Sequence, residues 1–182
     1  GHAPTDASNR AKVEALLKDP ATTPFGKKAA LRALLAVGGA RDLAAVADCL
    51  KLPDVREWAT FTLAGAPDRA ADAVLAQALS GAEAEQRCSL LAALAIRKNV
   101  AAIAPAVADR DPAVATAALA ALGRIGTPEA LAALSKPAAP ALEESRLTAL
   151  AACFGTLAET GQSRAAAQAA KPFFADPAQA PA

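Results

Sequence analysis

The sequence predicts an all-α fold built as a solenoid, in which consecutive helix pairs stack on one another. A paired-helix pattern recurs about every 30 residues, and a period of roughly 20–50 residues is typical of solenoids. The composition points the same way. Hydrophobic residues make up 54% of the chain but aromatic residues only 3%, so alanine and leucine must form the core. Both favour helices, whereas the β-branched and aromatic residues that strands prefer are scarce.

The clearest copy of the repeat begins at Asp111 and ends at Leu134. It reads Asp-Pro-Ala-Val-Ala-Thr-Ala-Ala-Leu-Ala-Ala-Leu-Gly-Arg-Ile-Gly and continues with Thr-Pro-Glu-Ala-Leu-Ala-Ala-Leu. A segment that begins at Pro24 matches this copy without a gap, which indicates that both fold in the same way. The matched pairs include Pro24 and Pro112, Leu34 and Leu122, Val37 and Ile125, Gly38 and Gly126, Leu43 and Leu131, and Val46 and Leu134.

The first helix is predicted over Ser8–Lys18, where Ser8 or Asp6 is the expected N-cap and Asp19-Pro20 ends the helix. It has no partner of its own in the repeat pattern, so it is expected to act as a cap or as the second helix of a truncated unit. Apolar side chains at helical spacing place one face toward the core: Val13, Leu16 and Leu17.

Paired helices follow, and their ends are marked by proline and glycine. Proline suits the first helical position because its missing N–H would be unpaired there, and glycine closes a helix end. Pro105 is expected to kink or shorten the helix that contains it. The predicted pairs are Pro24–Val37 and Ala40–Lys51 around a Gly38-Gly39 turn, Pro53–Leu63 and Pro67–Leu79, Ala82–Ile96 and Val100–Ala108, Pro112–Arg124 and Pro128–Lys136, and Ala141–Glu159 and Ser163–Phe174.

These elements predict a solenoid over residues 8–174. Residues 1–7 are expected to be a disordered lead in which Gly1-His2 is the remnant of an expression tag. Residues 175–182 are expected to be a disordered tail or linker. An exported or periplasmic location is favoured over a cytoplasmic one.

The charge balance bears on the class of partner. Net charge is +1, from 19 basic and 18 acidic residues that are interspersed along the chain. Nucleic acid is therefore not expected as a ligand, because few phosphate contacts are available. Charged residues, proline and glycine interrupt the alanine-rich stretches, so no membrane insertion is expected.

The residues from which catalytic or metal sites are usually built are sparse. His2 is the only histidine, so a nucleophile would lack its usual base. Cys49, Cys88 and Cys153 fall in different units and are interpreted as small core residues. Glu143-Glu144 begin a helix, where carboxylates stabilise its dipole. The sequence therefore predicts no enzyme, no cofactor and no metal site.

The Asp111–Leu134 string resembles a HEAT repeat, and the Pro24–Val46 segment is similar to it as well. The resemblance implies an armadillo-like, right-handed α-solenoid of about five helix pairs with an extra N-terminal helix. It also implies a concave, partner-binding face formed by the second helices. The runs Glu57–Asp68 and Arg97–Ile103 look more loosely like HEAT segments of large exported bacterial proteins.

Two HEAT-like enzyme classes can be compared with these residues. The deoxyhypusine hydroxylase type requires His-Glu pairs, which this chain lacks. The alkylpurine glycosylase type requires a basic groove with Trp, Tyr and Asp, and the chain has one Trp and no Tyr. Trp58 aligns with Ala117 in the repeat and is expected to pack between repeats rather than to stack on a ligand.

The surface of the second helices is the candidate binding site. Their core-facing residues are predicted to be Leu43, Val46, Leu50, Val74, Ile103, Val107, Leu131 and Leu134. Mixed charge among small residues on the opposite faces suits a protein or peptide ligand. A merely solvated face, a spacer within a larger exported protein, and nucleic-acid binding are the alternatives. The candidate partner-binding residues are Arg41, Asp42, Asp48, Arg69, Asp72, Gln77 and Glu129.

We expect Leu122→Ala to lower stability by about 2–5 kcal/mol, from lost burial and the cavity left behind. The neighbouring units should share this loss, because solenoid stability depends on nearest neighbours. Glu129→Ala should change little. Thermal unfolding of both variants tests the assignment of inner and outer faces, and equal melting temperatures would show that it is wrong.

Overall fold

A computed structural model describes residues 3–36, 40–161, 164 and 167–168. Every regular element in these residues is helical, which confirms the predicted all-α class. The helices are α1 (Ala3–Lys18), α2 (Pro24–Ala36), α3 (Leu43–Cys49), α4 (Arg56–Ala64), α5 (Ala70–Gly81), α6 (Ala84–Ile96), α7 (Val100–Ile103), α8 (Pro112–Ile125), α9 (Pro128–Leu134) and α10 (Glu143–Glu159).

Several predicted features fall on residues that are not described, among them Gly1-His2 and the tail over 175–182. The Gly38-Gly39 turn lies outside the described residues, and so does most of the helix predicted over Ser163–Phe174.

The chain forms two compact units, residues 1–97 and residues 98–182. In the first unit, α1, α3 and α5 pack side by side in succession, and so do α2, α4 and α6. The row formed by α1, α3 and α5 contacts the row formed by α2, α4 and α6. The contacting pairs are α1 with α2, α3 with α4, α4 with α5, and α5 with α6. α1 packs against α2 and α3 and lies in the row of the second helices, which agrees with its expected place as a cap or as the second helix of a truncated unit.

The second unit is organised around α8, which packs against α7, α9 and α10. Backbones approach closely where α8 meets α10. A Cβ added at Gly123 would lie 2.8 Å from the carbonyl oxygen of Ala149, so only glycine allows this contact. Leu122 and Leu131 are buried as predicted, and Glu129 is exposed. Other large apolar side chains buried in this unit include Ile103, Leu119, Ile125, Leu134, Leu150 and Leu157.

Side-chain caps and local turns decide where the helices begin. Asp111 accepts a hydrogen bond from Ala113 N (2.9 Å), and Thr127 accepts one from Ala130 N (3.3 Å). Prolines follow both caps at the first helical position, as predicted. Asp68 instead accepts from Ala70 N (2.8 Å) in a turn, so α5 begins after this turn rather than at the predicted proline.

Several predicted boundaries differ from the structure for identifiable reasons. α1 begins at Ala3, before the predicted caps, and α4 begins at Arg56 because the residues after Pro53 form a turn. α3 ends at Cys49 because its last turn tightens to bonds between residues three apart, such as Leu50 N to Ala47 O (3.1 Å). The region of Pro105 forms a 3-10 helix over Ala104–Ala108, so the expected shortening is confirmed.

The predicted core is correct for most second-helix positions and wrong at two. Leu43, Val46, Leu50, Ile103, Leu131 and Leu134 are all buried. Val74 is only half-buried because α5 packs through Ala71, Leu75 and Leu79. Val107 is half-buried in the 3-10 segment, whose period differs from that of an α-helix. On α1, Leu17 is buried but Leu16 is exposed.

Substitution of Gly126, which follows α8 and lies close to Thr156 of α10, tests the contact between these two helices. Its φ of +59° is left-handed, and an added Cβ would lie 2.2 Å from Cγ2 of Thr156. We expect Gly126→Ala to lower the free energy of unfolding by more than the roughly 1–2 kcal/mol of a left-handed backbone alone. Chemical denaturation measures this.

Gly155→Ala is the matched control, since it lies in α10 with no atom within 4 Å of the added Cβ. There alanine should stabilise the helix by about 0.5–1 kcal/mol. Equal effects of the two substitutions would contradict the packing described for α8 and α10.

Candidate functional site

The polar residues predicted to bind a partner differ in what their side chains contact. Asp42 caps α3 by accepting from Ala45 N (3.1 Å) and forms an ion pair with Lys18 of α1. The hydrogen bond from Lys18 lowers the pKa of Asp42, and the same bond raises the pKa of Lys18. Glu14 of α1 also accepts from the backbone N–H of Arg41 (2.8 Å) and of Asp42 (3.0 Å). Asp42 therefore joins α1 to α3 and is not a free surface carboxylate.

Asp72 is also engaged within the fold, through Arg97. The Arg97 side chain is 8% exposed and forms an ion pair with Asp72 while its other nitrogens donate to backbone carbonyls. We call this arrangement the Arg97 clamp. It joins the end of α6, the turn between α4 and α5, and the first turn of α5. The carbonyl acceptors are those of Leu63 (3.2 Å), Ala64 (3.4 Å), Ala66 (2.7 Å) and Asp68 (2.8 Å).

The remaining predicted residues are more exposed. Asp48 forms an ion pair with Lys51 at 2.8 Å on the surface of α3. Arg41 and Arg69 are exposed, and so is Glu129 at the start of α9. The backbone N–H of Glu129 and the hydroxyl of Thr127 lower the pKa of this carboxyl, which fits a helix start. These residues lie apart along the chain, before and on α3, before α5 and on α9.

Gln77 lines a groove of the first unit. This α3–α5 groove has a volume of about 520 Å³ and lies where the C-terminal halves of α3 and α5 meet the start of α6. Small and apolar residues line most of it, with polar side chains at the margin. The lining residues are Ala47, Leu50, Lys51, Val74, Gln77, Ala78, Ser80, Gly81, Ala82 and Gln86. Of the predicted binding residues, only Gln77 is among them.

Trp58 lies at the edge of the core rather than within it. It is half-buried on α4, its ring centroid is 6.4 Å from that of Phe61, and the Arg32 guanidinium lies 6.0 Å from its centroid. That distance is at the limit of a cation–π contact. Ala117, the matching residue of the repeat, is also half-buried. Trp58 on α4 thus lies beside Arg32 of the neighbouring α2, which agrees with packing between repeats, but this helical position is half-buried and not part of the fully buried core.

The cysteines and the paired glutamates differ in burial and in contacts. Cys49 and Cys153 are buried as predicted, and burial raises the pKa of both thiols. Cys88 is only half-buried, because α6 packs through its leucines. Glu143 pairs with the buried Arg146 (2.8 Å from Nε), which lowers the pKa of that carboxyl. Arg146 also donates to the carbonyl of Leu134 (3.0 Å), closing the end of α9.

Comparison with known proteins adds no assignment, since no protein-family model and no curated protein matches the chain. Among the described residues, no group of His, Cys, Asp and Glu side chains is placed to hold a metal ion. Nor is any helix in that part of the chain long and apolar enough to cross a membrane.

The Arg97 clamp leads to a prediction on stability. Arg97→Ala should lower the free energy of unfolding by about 3 kcal/mol, because it leaves the partly buried Asp72 and several carbonyls without their partner. Arg69→Ala removes an exposed arginine one turn before Asp72 and should change stability by less than about 0.5 kcal/mol. Urea denaturation compares the two, and an equal effect would show that the clamp does not stabilise the unit.

Proposed function

We propose that this chain is a HEAT-like, right-handed α-solenoid that acts as a non-catalytic scaffold for a protein or peptide partner. The succession of α1, α3 and α5 beside α2, α4 and α6 supports this architecture for the first unit, because stacked repeats pack in this way. The repeat pattern of the sequence extends the proposal to residues 8–174. No catalytic step and no cofactor are part of it.

The observation that carries the binding role is the α3–α5 groove. It lies on the second helices, the row that the resemblance makes concave, and its volume of about 520 Å³ suits several side chains of a peptide. Its walls are mainly small and apolar. Lys51 and Gln77 are exposed at its margin and can bond a peptide backbone or a polar side chain. A protein segment fits such a surface better than a compact charged metabolite does.

A structural spacer within a larger protein is the second candidate. Asp42 and Asp72, both expected to face a partner, instead pair with Lys18 and Arg97 inside the first unit. This use of polar residues stabilises the unit itself, which favours a spacer. The flanking sequence of the full-length gene separates the two candidates: a signal peptide with a neighbouring cofactor- or sugar-binding domain supports the spacer.

Site-specific photo-crosslinking in the native host tests the scaffold proposal. A photoreactive phenylalanine analogue at Gln77 should form an adduct with one reproducible protein, whereas the same analogue at Phe25 should not, because Phe25 lies outside the groove. Ala78→Glu narrows the groove and adds a charge, so it should abolish the adduct. Ala29→Glu, on the exposed surface of α2, is the matched control.

Each contrary outcome has a specific meaning. If adducts form only with a neighbouring domain of the same polypeptide, the chain is a structural spacer and not a scaffold for a separate partner. Binding of duplex DNA at physiological salt, lost when Arg41 and Arg69 are reversed in charge, would favour a nucleic-acid ligand. Turnover that depends on a side chain of this chain would contradict a non-catalytic role altogether.

A further inference from the structure

A second groove runs between α4 and α6, on the row of first helices. It consists of a cavity of about 290 Å³ near the start of α6 and one of about 120 Å³ farther along both helices. The two cavities share Glu57, Thr60 and Ser89 as lining residues, so they adjoin, and together they are here called the α4–α6 groove. No prediction from the sequence concerned this face.

One end of the α4–α6 groove is apolar and open to solvent. Phe61 is 53% exposed and Ile96 is 64% exposed, although both are large hydrophobic residues. Ala64, Ala92 and Ala93 line the space beside them. Trp58 contacts Phe61 on α4 and extends the apolar surface. Adjacent exposed apolar side chains of this size mark surfaces that another molecule covers.

The other end is acidic. Glu57, Glu83 and Glu85 are exposed, and none of their side chains forms a hydrogen bond or ion pair with the residues that the structure describes. Arg56 is the basic residue that lines this end, and its guanidinium donates to the side chain of Gln86 (3.4 Å) rather than to a carboxylate. Three glutamates and one arginine leave this end of the groove with an excess of negative charge, which attracts cationic groups.

We propose that the α4–α6 groove binds a basic amphipathic segment of a partner protein. Its apolar side chain would cover Phe61 and Ile96, and its Lys or Arg side chains would lie over the glutamates. Packed helices with an apolar groove recognise amphipathic segments in this way. A second copy of this chain is a poorer occupant, because its basic residues are interspersed with acidic ones and form no block. The inference does not rest on the α3–α5 groove.

Fluorescence anisotropy with a designed probe tests this proposal. The probe is a short synthetic amphipathic helix with leucine on one face and lysine on the other, and its counterpart carries glutamate in place of lysine. We expect the lysine peptide to bind and the glutamate peptide to bind at least about tenfold more weakly. Phe61→Ala and Ile96→Ala should each weaken the lysine peptide about tenfold, because each removes apolar contact area.

Matched variants separate the groove from general effects. Phe25→Ala removes a more exposed phenylalanine outside the groove and should leave binding unchanged. Replacing Glu57, Glu83 and Glu85 together with glutamine should weaken binding and remove its dependence on salt, whereas Glu144→Gln on α10 should not. Circular dichroism checks that each variant stays folded, as expected for exposed positions.

Three results would overturn the proposal. Comparable binding of the lysine and glutamate peptides would show that the acidic end takes no part in recognition. Equal losses of affinity in Phe25→Ala and Phe61→Ala would show the same for the apolar end. Self-association abolished by Phe61→Ala would assign the groove to a second copy. Ala78→Glu should leave the lysine peptide bound, so this inference and the α3–α5 scaffold can fail independently.

Discussion

Burial between neighbouring helices is the constraint on which the rest of the structure depends. With alanine and leucine as the main core residues, each helix has a narrow apolar stripe and must cover it against adjacent helices. Small side chains let backbones come close, as Gly123 does against Ala149. Close packing brings helix ends together, and their unpaired carbonyls then need donors. Arg97 and Arg146 supply these donors, one in each unit.

The helices and much of the core could be predicted because their signals are local. Prolines after capping residues mark the starts of α8 and α9, and the 3.6-residue period identifies Leu122, Leu131 and Leu134 as buried. Boundaries were harder where a turn competes with the helix, as at Asp68. The prediction that Val74 is buried was wrong because the smaller Ala71 occupies the core position of this turn of α5, and Val74 lies at the edge of the core.

The candidate site depends on contacts that a local pattern does not contain. Asp72 and Gln77 were both predicted to lie on the polar surface of α5, yet Asp72 is bound by Arg97 and Gln77 lines a groove. Both contacts depend on how α6 and Arg97 pack against α5. The exposed Phe61 and Ile96 were not recognised for a related reason. Apolar residues at helical spacing are normally interpreted as core. The exposure of Phe61 and Ile96 can be recognised only once the packing of α4 against α6 is known.

The Arg97 clamp also has a consequence for the order of folding. Its partners lie 25 to 34 residues earlier in the chain, from Asp72 back to Leu63. Synthesis adds about 5–20 residues per second. α4 and α5 therefore leave the ribosome before Arg97, whose side chain bonds the turn between them. Until α6 is complete, those carbonyls remain bonded to water. The turn between α4 and α5 therefore gains its bonds from the Arg97 side chain only after α6 and Arg97 have been synthesised.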